Sequence, residues 1–564
     1  MELSAKLRRL PTRYVVIGML FILALAGWVE GVWLFPNYGA GDDEASYLLA
    51  AKGLALRGDP VHANPDELAF VPEHMIESEP GKYYPIYPIG YPMLAAVGYG
   101  IGGAVGAFYV NPVCVVAALV GVFFLARFLV GDLFGLAAVF FLGLNPAVLY
   151  YGVTPVSHVS DLACAVWCAV AGYAWFRRPA WWKAAAAGLL AGYAVSIRYT
   201  EALLALPLGY LLVMRGWENW KARRAVGAEV FGGAISMTVA GVVALVPLLW
   251  FHGHAFGSIW RTGYSFTGHS SAFSWDYFAT HALYAVKTLS QMPFGVSLFF
   301  PLGLVGLGWG LARRRREAMF LMLWCVPGLL LYMAYYWIIV DDSGGWLVSR
   351  GTVLYVRLYL TLYPSFVIAG LMVLSGVIGP RFWRGIVVAA GVVLLGIVQF
   401  YLTPEAWWQY EGTAVSDQAA TQLVRGHLRP DAVIVADGYA AYSLVYYTDM
   451  TVFYPSYFAA DWVRRHLEPG DAAAGSPAFW NPLRRERFAA IAGKKSGEEL
   501  DALFAERLLF YARQGKQVGL VVSSESKPWY QMLEGAFTRE VIAEDSKHHV
   551  VLFELKPKAG AVVR

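Results

Sequence analysis

Gly41-Asp42-Asp43-Glu44-Ala45-Ser46-Tyr47 follows a long apolar run at residues 14–35 and continues through Leu48-Leu49-Ala50-Ala51-Lys52 to Gly58-Asp59. Three consecutive carboxylates stand out in a chain with 15% charged residues. An acid beside a bilayer is costly to desolvate and has to face water or a protein cavity. Ala45, Leu48, Leu49 and Leu56 are spaced to form one apolar helical face, with Lys52 long enough to snorkel. The stretch therefore reads as a short helix lying on the membrane surface, its acids at the N-terminal end where the helix dipole favours them. Asp43 and Tyr47, four residues apart, share a face. An acid at a helix start is also a common N-cap, so the cluster alone is compatible with a purely structural role.

The chain is 58% hydrophobic and 15% aromatic, while soluble domains carry about 25% charged residues. Its basic residues cluster in loops between apolar runs, and no nucleic-acid-binding motif is present, so nucleic acid is excluded as a partner. The four cysteines, Cys114, Cys164, Cys168 and Cys325, all lie inside apolar runs and read as buried packing thiols.

Lys6, Arg8, Arg9 and Arg13 precede the first apolar run, which reads as an uncleaved anchor with a cytoplasmic N-terminus. A first outer loop follows, polar and Pro-rich at 62–82 and ending in Lys82-Tyr83-Tyr84-Pro85-Ile86-Tyr87-Pro88-Ile89-Gly90-Tyr91-Pro92. The short, Gly-rich stretch 93–103 reads as a second interfacial helix. Further spans are expected at 108–128, 133–151, 159–176, 184–197, 203–214, 226–251, 293–311, 318–339, 358–374 and 386–401, about eleven with the first. The basic loops 177–183, 215–224, 313–316 and 381–384 then share one side, which the positive-inside rule makes cytoplasmic. From residue 403 the charge rises. Helices at 416–427 and 498–514, with strands at 432–436, 518–523, 541–542 and 550–555, predict a small α/β domain on the opposite side. The expected fold is a polytopic α-helical membrane protein, with a transmembrane domain over 1–402 and an extracytoplasmic α/β domain over 403–564.

The acidic pair, two residues and then Tyr in Asp43-Glu44-Ala45-Ser46-Tyr47 resembles the first-loop motif of GT-C glycosyltransferases. Within that superfamily the protein O-mannosyltransferases and the aminoarabinose lipid A transferase are the most similar in this motif. The 82–92 segment resembles the aromatic–proline stretch that follows the first-loop acid. Arg357-Leu358-Tyr359-Leu360-Thr361-Leu362-Tyr363-Pro364 resembles an Arg-then-aromatic/Pro pattern near the donor site. The resemblance implies a GT-C fold in the cytoplasmic membrane and transfer of a sugar from a polyprenyl-phosphate donor to a lipid, glycan or protein acceptor on the outer face. It implies Asp43 as catalytic base, with Asp42 and Glu44 beside it. Asp42 is the rival base, or caps the helix. Tyr47, Lys82, His158, Asp161, Arg198, Arg350 and Arg357 are the candidates for the donor phosphate or the rest of the substrate. The chain departs from the aminoarabinose transferase in having Ser46, not Arg, immediately before the motif Tyr. It also lacks a Lys before a Pro pair in the next segment.

These residue types suit one chemistry. A base takes the acceptor hydroxyl proton, and cations hold the departing phosphate. The residues name no certain cofactor: the three acids could hold a divalent cation, and GT-C members differ on this. Two other readings stand beside it. A lipid-linked saccharide flippase or other transporter would place charges near the bilayer midplane. A non-catalytic membrane scaffold with a binding tail would tolerate loss of the acids.

Overall fold

The computed structural model describes residues 41–64, 66–267, 273–335, 355–378, 382–403, 411–461, 463, 482–523 and 533–560, together with Val16, Gly18, Met19 and Gly27. The expected first span, the loop carrying Arg350, and Arg381 therefore lie outside the described residues, the first span apart from those four positions.

The helix at the acids runs Asp42–Arg57 and ends on Gly58, whose φ of 71° lets its N–H close back onto Leu54 O. Gly41 occupies the N-cap with no side-chain cap, so the expectation that Asp42 caps the helix is not met. Residues 42–44 form the first turn instead, where the helix dipole favours acids. The expected single apolar face also needs correcting. Ala45, Tyr47, Leu48, Leu49, Ala50 and Ala51 are all buried, whereas Leu56 is exposed. The reason is tertiary: helix Gly90–Gly106 packs on one side and helix Tyr439–Tyr447 of the C-terminal segment on another. Lys52 accordingly donates to the Tyr446 and Thr448 carbonyls (2.9 and 3.2 Å) and pairs with Asp449 (3.0 Å), where a headgroup contact had been expected.

Between these helices the first loop forms a three-stranded sheet, order β1-β3-β2, from β1 (His62–Ala63), β2 (Met75–Glu79) and β3 (Lys82–Pro85). Helix Gly90–Gly106 starts earlier than expected and breaks at Gly102 and Gly103 before Val110–Leu129. The φ of 64° at Gly103, with ψ of −153°, is a conformation L side chains avoid.

Among the described residues, six helices are long and apolar enough to cross a membrane, or seven if the bent pair Asp132–Gly143 and Pro146–Val153 counts as one span. Eleven were expected, ten of them on described residues. The stretches that fall short are Trp181–Ile197 and Phe299–Ala312, which are short, and Ala205–Arg223, whose second half is charged. The expected span 133–151 is bent by 60°. At the bend Asn145 caps the second arm, accepting from Ala147 and Val148 N–H (3.0 and 3.3 Å), while its amide donates to Gly295 O (2.9 Å). Trp181–Ile197 approaches Ala228–Phe256 through bare backbone: a Cβ on Gly188 would lie 1.9 Å from Met237 O.

The C-terminal segment carries helix Glu411–His427, β4 (Val433–Val435), helix Tyr439–Tyr447, β5 (Thr451–Phe453), helices Pro482–Ala492 and Gly497–Arg513, β6 (Val518–Val522), β7 (Phe537–Asp545) and β8 (Val550–Pro557). Its mixed sheet has the order β5-β4-β6-β8-β7, parallel through β5, β4 and β6 and antiparallel beyond. Strand β4 is buried at every position, as its unbroken Val-Ile-Val run predicts for a central parallel strand. Helix Gly497–Arg513 opens with a capping box between Ser496 and Glu499.

Candidate active site

Asp43 sits on the second residue of its helix, so its carboxylate projects from the N-terminal turn toward the start of the 3₁₀ turn Arg357–Leu362. Arg357 Nη1 donates to Asp43 Oδ2 at 2.7 Å. Tyr87 Oη donates to Oδ1 in a short hydrogen bond, and His74 Nδ1 lies 3.6 Å from the same oxygen. Asp43 and Arg357 each keep 20% of their side chain exposed. Burial works to raise the Asp43 carboxyl, but the charges of Arg357 and His74 and the Tyr87 hydrogen bond outweigh it and hold it at about 2. Tyr47, one turn on, stacks on Tyr87 (ring centroids 4.5 Å) and donates to Ser157 Oγ at 3.1 Å.

Ser157 precedes a second cluster. His158 and Asp161, three residues apart at the start of helix His158–Arg177, both meet Arg198, which follows helix Trp181–Ile197. Arg198 Nη1 contacts His158 Nδ1, Nη2 donates to Tyr332 Oη at 2.9 Å, and Nε lies 3.7 Å from Asp161 Oδ2. A guanidinium cannot accept, so Nδ1 of His158 must, which leaves Nε2 as the ring nitrogen carrying hydrogen. The His158 ring also bonds the Arg357 backbone. One imidazole thus ties the two arginines together. Glu201 lies against Asp161 and receives the Thr361 hydroxyl at 3.4 Å.

The structure therefore brings together Asp43, Tyr47, His158, Asp161, Arg198 and Arg357. Glu44 lies one position further round the helix, its carboxylate folded back over Gly41. Lys82 is not brought in: it stands at the exposed start of β3 and pairs with Glu79 (2.7 Å). Asp42 is described in backbone only, and Arg350 falls outside the described residues. Among the described residues, no group of three or more His, Cys, Asp and Glu side chains is placed to hold a metal ion.

The sequence reading missed His74 altogether. It also treated Tyr87 as one member of an aromatic run and gave Tyr332 and Ser157 no role. Nothing local marks His74 in its polar loop; only the pairing of β2 with β3 brings it beside Tyr87, with ring centroids 5.5 Å apart.

No protein-family model and no curated protein matches the chain. Solved structures do. The likeness is one of fold. Specifically, the chain is similar to ArnT from Cupriavidus metallidurans in the apo state, with a TM-score of 0.53 and 14% identity over 96% of this chain and 98% of that one. It is similar to the same protein bound to undecaprenyl phosphate, at 0.52 and 13% over 97% and 98%. A third likeness is to the Archaeoglobus fulgidus oligosaccharyltransferase in complex with zinc and sulfate, at 0.50 and 12% over 93% and 71%.

Proposed function

We propose that the protein is an inverting glycosyltransferase of the cytoplasmic membrane, moving a sugar from a polyprenyl-phosphate donor to a lipid, glycan or protein acceptor on the outer face. The single observation that carries the reading is the Asp43–Arg357 pair: a partly exposed carboxylate and a guanidinium held at 2.7 Å beside a second arginine cluster. The solved structure of ArnT with undecaprenyl phosphate, on the same fold, supports a lipid phosphate as the donor's anionic part.

In this reading the acceptor hydroxyl oxygen attacks the sugar C1 from the face opposite the phosphate. The C1–O bond breaks, its electron pair leaves with the polyprenyl phosphate, and the hydroxyl proton passes to Asp43. Arg357 serves twice. In the free protein it neutralises Asp43. A donor phosphate is a competing anion for the same guanidinium, and drawing Arg357 toward it weakens its hold on the carboxylate and makes Asp43 more basic. Arg198, fixed by His158 and Tyr332, supplies a second cation for the charge that builds on the leaving phosphate. The N-terminus and the basic loops are cytoplasmic in this arrangement, and the C-terminal segment is extracytoplasmic.

The test is mass spectrometry of lipid-linked and surface glycans from cells with and without the protein. Loss of one sugar from an acceptor, with its polyprenyl-phosphate donor accumulating, is the expected result. The same loss with the lipid-linked donor trapped on the inner leaflet would favour a flippase, and unchanged glycans would overturn the reading.

A further inference from the structure

His74 reaches Asp43 from a loop, and a side chain on a loop is placed only as firmly as the loop is held. Here the holding comes from more than 380 residues away in sequence, at positions evenly disposed about His74. Three residues before it, the Val71 carbonyl accepts from Tyr457 Oη (2.8 Å) and Arg484 Nη2 (3.2 Å). Three residues after it, Glu77, 1% exposed, pairs with Arg487 and accepts the Gly81 N–H at 2.9 Å. Arg484 and Arg487 lie three residues apart on helix Pro482–Ala492, on one face. Arg484 also stands over the Tyr83 ring, 5.6 Å from its centroid. Inside the loop, Ile86 N–H donates to the His74 carbonyl at 3.0 Å, which sets Tyr87 next to His74.

We propose that helix Pro482–Ala492, through Arg484 and Arg487, is the positioning element that sets His74 against Asp43. The C-terminal segment then acts on the site by holding the first loop, not by touching substrate. The bearing of this on turnover rests on the reading of Asp43 given above; the placement of His74 does not. The 3.6 Å between His74 and Asp43 is near the limit of ion pairing, so a small shift of the loop breaks it. Buried Glu77 resists such a shift only while Arg487 neutralises it.

The test is diethyl pyrocarbonate labelling of the full-length protein in detergent, read peptide by peptide, with exposed His427 as internal standard. Arg487→Met and Arg484→Met should each raise the His74 rate relative to His427 by about fivefold, as expected of a loop that opens locally. Arg487→Lys, which keeps the charge, should recover most of the wild-type rate, and Glu486→Gln on the exposed side of the same helix should change nothing. Where the Met variants aggregate, Glu77→Gln removes the same pair more gently and should give the same rise. An unchanged His74 rate in the folded Arg487 and Arg484 variants, or in Glu77→Gln, overturns the proposal. The labelling needs no substrate, so a failure of the transferase reading would leave its outcome standing.

Discussion

Asp43 and Asp66 are both aspartates paired with arginine, and they are built for opposite ends. Asp66 is sealed at 1% exposure. Its Oδ1 receives the Leu68 N–H (3.0 Å), and its Oδ2 receives Arg507 Nε (2.8 Å) and Tyr511 Oη (2.6 Å). Asp43 makes a pair of similar length but keeps a fifth of its side chain open, as does its arginine. A carboxylate enclosed by fixed donors has no route to a new partner, and losing one leaves a buried charge uncompensated. A carboxylate at an open edge can exchange its cation for a proton or yield it to another anion. The difference separates an acid that holds the fold from one that can take part in a reaction, although the two ion pairs look alike in distance.

The largest effect that could break this comparison is on turnover. Asp43→Asn keeps the size of the side chain but removes the proton acceptor, so transfer should fall by about 10²- to 10⁴-fold with donor binding little changed. Asp42→Asn should cost much less. Near wild-type turnover in Asp43→Asn with Asp42→Asn dead would move the base one residue back, and near wild-type rates in both would remove the mechanism. Next in size, Asp66→Ala should destabilise the folded protein by about 1–3 kcal/mol, the usual cost of leaving buried hydrogen-bond donors without their acceptor, and lower the melting temperature below that of Asp43→Asn. A melting temperature no lower than that of Asp43→Asn would erase the distinction between the two acids. The smallest effect is in pH. Asp43 is held at about 2, below its ordinary 3.8, so the folded state binds fewer protons than the unfolded chain between those values. Its stabilisation is complete above pH about 4 and is lost as pH falls toward 2. The melting-temperature difference between wild type and Asp43→Asn should therefore stay constant down to about pH 4 and shrink below it. A difference that shrinks already between pH 6 and 5 would mean Arg357 does not hold the carboxylate as the geometry indicates.

Much of this was legible in the chain itself. The acid cluster, the helix that follows it and the strand at Val433–Val435 are local statements: short-range spacing, dipole and hydrophobic run length determine them. The membrane character likewise follows from composition and from the apolar runs between basic loops. The convergence of Asp43, His158, Asp161, Arg198 and Arg357 could be named in advance only because each sits at the end of an apolar stretch, where helices of one bundle bring their ends together. What the tertiary structure alone decided is of another kind. Leu56 is exposed and Lys52 bonded into the C-terminal segment because that segment roofs the helix. Lys82 points away because the β2–β3 turn carries it to the surface. His74 enters the site because strand pairing and two distant arginines put it there. Contacts across hundreds of residues leave no periodicity in the sequence, since each partner's local pattern is satisfied whether or not the other is present. The sequence could thus specify the acid that opens the helix, and only the folded chain could specify which cations and which imidazole surround it.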